Sequence, residues 1–192
     1  TLWSNGKTTY LGSLGGLSGA SAINNSGQIV GNYLVGDSYE QGNPIVHATL
    51  WDGNTISDLG TLGGINSYAN SINDYGLIVG LSDISDNSTY HATLWNGSSI
   101  IDLGKLTGSI NSSANAINNL GQIVGQSFYN IVGNSATMWD GDSIIDLNSL
   151  LDSSIVNAGW VLNEANDIND YGQIVGTAYN YQTGRFGPFL LT

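Results

Sequence analysis

The stretch Ile72-Asn73-Asp74-Tyr75-Gly76-Leu77-Ile78-Val79-Gly80 decides the fold. It reads as the end of one strand, a tight turn of Asn/Asp-x-Gly type and the start of the next strand. Copies of it stand at 23–31, 117–125 and 168–176. One hairpin repeated in this way predicts stacked like units that share a continuous core.

Each copy has the same surroundings. Small residues lead into it: Ala20-Ser21-Ala22, Ala69-Asn70-Ser71, Ala114-Asn115-Ala116 and Ala165-Asn166-Asp167. A second phrase recurs as Thr1-Leu2-Trp3, Thr49-Leu50-Trp51, Thr93-Leu94-Trp95 and Thr137-Met138-Trp139, with the tryptophans 48, 44 and 44 residues apart. Asp52-Gly53, Asn96-Gly97 and Asp140-Gly141 follow, and such pairs supply the positive φ of a type I′ hairpin turn. A last strand comes next: Thr55–Gly60, Ser99–Gly104 and Ser143–Leu147, with a looser copy at Thr8–Gly12. No segment sustains i, i+3, i+4 apolar spacing, so almost no helix is expected. Extra residues enter at two connections only, around Asp37 to Pro44 and Ser153 to Glu164.

Four short strands per repeat predict an all-β chain, a four-bladed β-propeller built from four-stranded antiparallel repeats of 44–51 residues. A linear stack of β repeats is the alternative, and a β-sandwich a third. One repeat domain spans 1–192, with repeats near 1–48, 49–92, 93–136 and 137–192. The small-residue strand suits the crowded inner position, and the tryptophans suit the space between blades. Gly187–Thr192 aligns with His47–Trp51, so the chain ends on a third strand. The strand at Thr8–Leu11 is expected to complete the last blade and close the ring, leaving Thr1-Leu2-Trp3 as a surplus third strand.

Three basic residues against fifteen acidic ones give a net charge of −12. That excludes a phosphate-binding surface for nucleic acid and an anionic membrane surface. The charged share is 9%, and Asn, Ser, Thr and Gly carry the polarity instead. Without cysteine there is neither a disulfide nor a thiolate metal site. No apolar run reaches the roughly 18 residues of a membrane span. No signal peptide is visible, and an opening on Thr1 inside a repeat phrase suggests a processed or trimmed chain.

His47-Ala48-Thr49-Leu50-Trp51, Asp58-Leu59-Gly60-Thr61-Leu62-Gly63-Gly64, the Ser-x-Ala-x-x-Ile-Asn lead-ins and Gly-Gln-Ile-Val-Gly at Gln28, Gln122 and Gln173 resemble the bacterial HAF repeat. The ending Pro188-Phe189-Leu190-Leu191-Thr192 is similar to that family's usual close. The resemblance covers essentially the whole chain. It implies a secreted or surface-associated β-repeat protein and carries over no catalytic residues. Leu77 departs from the pattern, as do Ser135 and Gly187, which stand where the family has His.

His47 and His91 occupy equivalent repeat positions, which assigns them a structural role. No His, Asp or Glu spacing fits a metal, no Gly-x-Ser-x-Gly elbow is present, and no cofactor is expected. Asp140-Gly141-Asp142 reads as a hairpin turn. The Asn-x-Ser/Thr triplets at Asn24, Asn87, Asn96 and Asn111 match glycosylation acceptors, at a frequency such a composition gives by chance. Carboxylates that break the repeat include Asp37, Glu40, Glu164 and Asp167, the last two beside the insertion that holds Trp160. Paired carboxylates serve glycoside hydrolysis, the lesser reading here. Aromatic faces amid polar donors suit sugar stacking, and the candidate ligand-binding residues are Tyr39, Glu40, Tyr129, Trp160, Glu164, Tyr179 and Tyr181. The expected function is a non-enzymatic structural or interaction module, extracellular or at the cell surface. Its partners are other proteins or copies of itself, with glycans as further ligands. Alternatives are a filament or layer subunit assembled by strand exchange, a lectin-like propeller and, least, a glycoside hydrolase.

Overall fold

The computed structural model describes residues 2–4, 6–36, 44–130 and 133–192. The protein is all-β, built from antiparallel sheets in sequence order. Sheet I holds β3 (Ser18–Ile23), β4 (Ile29–Leu34), β5 (Val46–Asp52) and β6 (Thr55–Asp58). Sheet II holds β7 (Gly63–Ile72), β8 (Ile78–Ile84), β9 (Tyr90–Asn96) and β10 (Ser99–Gly104). Sheet III holds β11 (Asn111–Ile117), β12 (Ile123–Tyr129), β13 (Gly133–Asp140) and β14 (Ser143–Asp146). Sheet IV has three strands, β15 (Trp160–Ile168), β16 (Ile174–Asn180) and β17 (Arg185–Leu191). A 3-10 turn at Leu147–Leu150 precedes the second insertion, which opens on a short helix α1 at Ser153–Asn157, capped by Asp152.

The repeated hairpin forms because its Asn substitutes for missing backbone partners. In sheet II the Asn73 Oδ1 accepts the N–H groups of Tyr75 and Leu77, each at 3.0 Å. Gly76 takes φ 77°, which a Cβ would disfavour. Asn24, Asn118 and Asn169 build the same turn. The Gly of Ile-Val-Gly has a different reason. A Cβ at Gly80 would collide with the carbonyl of Tyr68, and Gly31, Gly125 and Gly176 face the same obstruction from Gly19, Ser113 and Glu164. At this point each first strand carries a β-bulge, which pushes its backbone toward the second strand.

Successive sheets pack face to face, and three cores lie between them. Val30, Ala48 and Leu50 of sheet I meet Ala69, Ile72, Ile78 and Trp95 of sheet II. Val79, Ala92 and Leu94 meet Ala114, Ile117, Ile123 and Trp139 in the same way. Val124, Ala136 and Met138 meet Ala165, Ile168 and Ile174. Trp95 and Trp139 therefore sit between sheets. Each Val or Ile buried in such a join contributes roughly 1.5–3 kcal/mol.

Buried serines tie the same joins together. Ser67 Oγ donates to the Gly60 carbonyl at 2.7 Å and accepts the Ala48 N–H at 3.0 Å. Ser112 does so with Gly104 and Ala92. These serines occupy the carbonyls that a tryptophan would otherwise use. Trp95 and Trp139 leave Nε1 without a partner, whereas Trp51 donates to the Gly12 carbonyl at 3.3 Å.

The N-terminus departs from expectation. β2 (Lys7–Thr9) pairs with β1 (Leu2–Ser4), Trp3 opposite Thr8, and not with β17. Sheet IV is therefore not completed by the Thr8–Leu11 segment. A tight turn closes β1 on β2 across a few residues, while pairing with β17 would close a loop of nearly the whole chain. Gly12 then lies against Ile56, as Gly60 lies against Ile100 and Gly104 against Ile144. The hairpin thus has the place of third and fourth strands in a unit ahead of sheet I.

Candidate functional site

The four Asn turns converge. Their Ile-Asn-Asx triplets, Ile23–Asn25, Ile72–Asp74, Ile117–Asn119 and Ile168–Asp170, line one depression of about 290 Å³. Side-chain amides run around it from repeat to repeat. Asn24 Nδ2 donates to the Asn73 carbonyl at 3.0 Å, Asn73 to Asn118 at 3.1 Å, and Asn118 to Asn169 at 3.0 Å. The next residues form a second track, in which Asn and Asp alternate. Asp74 accepts the Asn25 N–H at 2.9 Å and its amide at 2.8 Å. The Asp74 N–H donates to Asn119 Oδ1 at 2.9 Å, and the Asn119 N–H donates to Asp170 Oδ1 at 2.8 Å. The bonds from the Asn25 N–H and amide, with a lesser one from Asn119, hold the Asp74 carboxyl below the usual range against a small opposing effect of burial. Asn169 Nδ2 reaches only Gln173 within its own repeat. Among the described residues no bond joins Asn169 or Asp170 to Asn24 or Asn25.

Both ends of the stack are open. Ile23 is 58% exposed, where Ile72, Ile117 and Ile168 are 7%, 7% and 6%. Val175 is 45% exposed, where Val30, Val79 and Val124 are wholly buried. Leu190, opposite Val175 as Leu50 is opposite Val30, is 61% exposed.

The histidines are structural clamps. His47 Nδ1 lies 2.7 Å from Asp58 Oδ2, its Nε2 lies 3.1 Å from the Ile65 carbonyl of the next sheet, and the Tyr33 hydroxyl donates to the same Asp58 oxygen at 2.9 Å. Burial pushes the Asp58 carboxyl up, but bonds from His47, the Gly60 N–H and Tyr33 outweigh it and hold the group below its usual value. Burial, helped by the bond to Asp58 and its charge, pushes Tyr33 up to about 12. His91 and Asp102 repeat the pair at 2.8 Å, and Ser135 replaces it with a 2.7 Å bond to Asp146. Among the described residues no group of three or more His, Asp or Glu is placed to hold a metal.

The residues singled out from sequence fall in separate places. Tyr39 and Glu40, like Asp37, lie outside the described residues. Glu164 is spent on the join between sheets III and IV: its Oε1 accepts amides from Asn115 and Gln126, both at 3.0 Å. Asp167, exposed, turns its Oδ1 to the N–H of Ile168. Tyr129 ends β12, half-buried, and its hydroxyl is pushed up by burial and by the charge of Asp146. Trp160 opens β15 and borders an apolar hollow of about 310 Å³ with Leu151, Ile155 and Phe189. Tyr179 and Tyr181 meet edge to face at 5.0 Å, and Phe186, which repeat reading passed over, lies 4.9 Å from Tyr179. Exposed Tyr181 and Phe186 thus flank half-buried Tyr179 in one aromatic group.

No family model matches the chain, and a search of the curated proteins finds no match.

Proposed function

We propose that the chain is a non-enzymatic structural and interaction module, its four sheets acting as blades of a β-propeller around the axis marked by the Asn turns. One observation carries this reading. The side chains with acid, base or metal chemistry that sit inside the joins, His47, His91, Asp58, Asp102, Asp74 and Glu164, are occupied in holding strand to strand and repeat to repeat. Convergence of four turns on one depression supports the blade arrangement. The HAF-repeat resemblance, with its low charge and many small polar residues, supports a place outside the cell or on its surface.

A panel of chromogenic glycosides and esters tests the non-enzymatic reading. No turnover is expected, and turnover abolished by Glu164→Gln would overturn it. Antibody labelling of intact cells tests location: label that appears only after lysis refutes a surface site. A lectin-like role has its own observation in exposed Tyr181 and Phe186, grouped around half-buried Tyr179. A glycan array that goes blank on Tyr181→Ala and Phe186→Ala would support that role.

A further inference from the structure

We propose that the two open ends of the chain bind each other between copies, head to tail, with sheet IV of one copy covering β3 of the next. The join would repeat an interface the chain already makes three times. In each internal join an Ile from the turn's first strand shares one buried cluster with a Val and a Leu or Met of the preceding sheet: Ile72 with Val30 and Leu50, Ile117 with Val79 and Leu94, Ile168 with Val124 and Met138. Sheet IV offers the same seat empty. A hollow of about 190 Å³ is bordered by Val175, Leu190, Ile168 and Asn169. Ile23 is the exposed side chain of matching kind and position.

The polar tracks match as well. Asn169 Nδ2 is placed in sequence to reach the Asn24 carbonyl, as Asn118 reaches Asn169. Asp170 has an N–H for Asn25 Oδ1 and a carboxylate for the Asn25 amide, the exchange made by Asp74 and Asn119. An Asp at both ends would not complete that exchange, because neither side chain could donate.

Two features set the strength of the join. Pro188 stands where Ala48 and Ala92 donate to a serine of the next sheet, so one inter-sheet bond is lost. The join is therefore weaker than the internal ones. β1 and β17 also hold the same place in their units, and only one can lie beside β2. In the join β17 takes that place, β2 becomes the fourth strand of sheet IV, and β1 is displaced. This strand exchange covers the open edge of β17 and the apolar hollow beside it. A heterologous join of this kind propagates into a ring or a filament, according to whether its rotation closes.

The inference rests on the reading as an interaction module, yet it can fail alone, since substrate turnover and surface labelling do not depend on self-association. Sedimentation velocity from micromolar to near-millimolar concentration tests it. Wild type is expected to grow beyond the monomer with concentration. Ile23→Asp and Val175→Asp each alter one exposed end, so each alone stays a folded monomer. An equimolar mixture of the two forms 1:1 dimers and nothing larger, because each retains one intact end. A chain lacking residues 1–4 associates about tenfold more tightly, a change of about 1.4 kcal/mol, since no strand has to leave. A wild type that stays monomeric, a single variant that associates like wild type, or a mixture without dimers overturns the join. Weaker association of the trimmed chain overturns the strand exchange.

Discussion

Replacing Asn73 by Ala and Asn169 by Ala separates the turn from the join. Both side chains accept two N–H groups of their own turn at 3.0 Å. Asn73 is 4% exposed and its amide also donates 3.1 Å across to Asn118, whereas the Asn169 side chain is exposed and, among the described residues, makes no bond to another repeat. Truncating Asn73 removes three bonds worth about 1 kcal/mol each and leaves the buried Asn118 carbonyl and two part-buried N–H groups unpaired, so the loss should be about 3–5 kcal/mol. At Asn169 water replaces the lost acceptor, and the loss should be about 1 kcal/mol. Urea unfolding at high dilution, where any self-association is absent, measures both from the midpoint and slope. Asn118→Ala should follow Asn73. Equal losses at Asn73 and Asn169 would refute the view that the side chains work mainly between repeats.

Three other outcomes are expected. Ser67→Ala strands the Ala48 N–H and frees the Gly60 carbonyl, and should lower stability by about 2–4 kcal/mol in the same unfolding assay. Gly80→Ala drives a Cβ into the Tyr68 carbonyl, and should yield insoluble protein or a circular dichroism spectrum without the native strand signal. Asp58 has a folded value below its unfolded one, so its stabilisation is complete above the unfolded value of about 3.9 and is lost as pH falls through the lower folded value. The stability gap between wild type and Asp58→Asn, followed by urea unfolding from neutral pH downward, should narrow only in that acid range.

Local chemistry made much of the fold legible. The Asn-x-x-Gly turns and the Asp-Gly and Asn-Gly hairpins specify contacts within a few residues, the Trp spacing marks the repeat, and the sheets follow them. The N-terminal hairpin was misread because equivalence to a fourth strand says nothing of which partner is nearer in the chain. The Asn tracks left a plain signal, an Asn after the Ile in every repeat. That signal has a sufficient local explanation in the turn, and the second use of the same side chain, across repeats, needs the sheets stacked. Glu164 looked free because it breaks the repeat pattern. Its partners Asn115 and Gln126 lie 49 and 38 residues away, a separation no local pattern reports.

The Asn25, Asp74, Asn119, Asp170 track has a further consequence, one of parity. Neighbours of unlike kind pair an amide with a carboxylate, while two aspartates side by side would force one carboxyl to keep its proton. A closed circle can alternate without a fault only if its number of repeats is even. Each chain contributes two Asn–Asp pairs and ends on the complement of its beginning. Any circle made of whole chains is therefore free of such a fault, and a circle with one repeat inserted or lost would carry one.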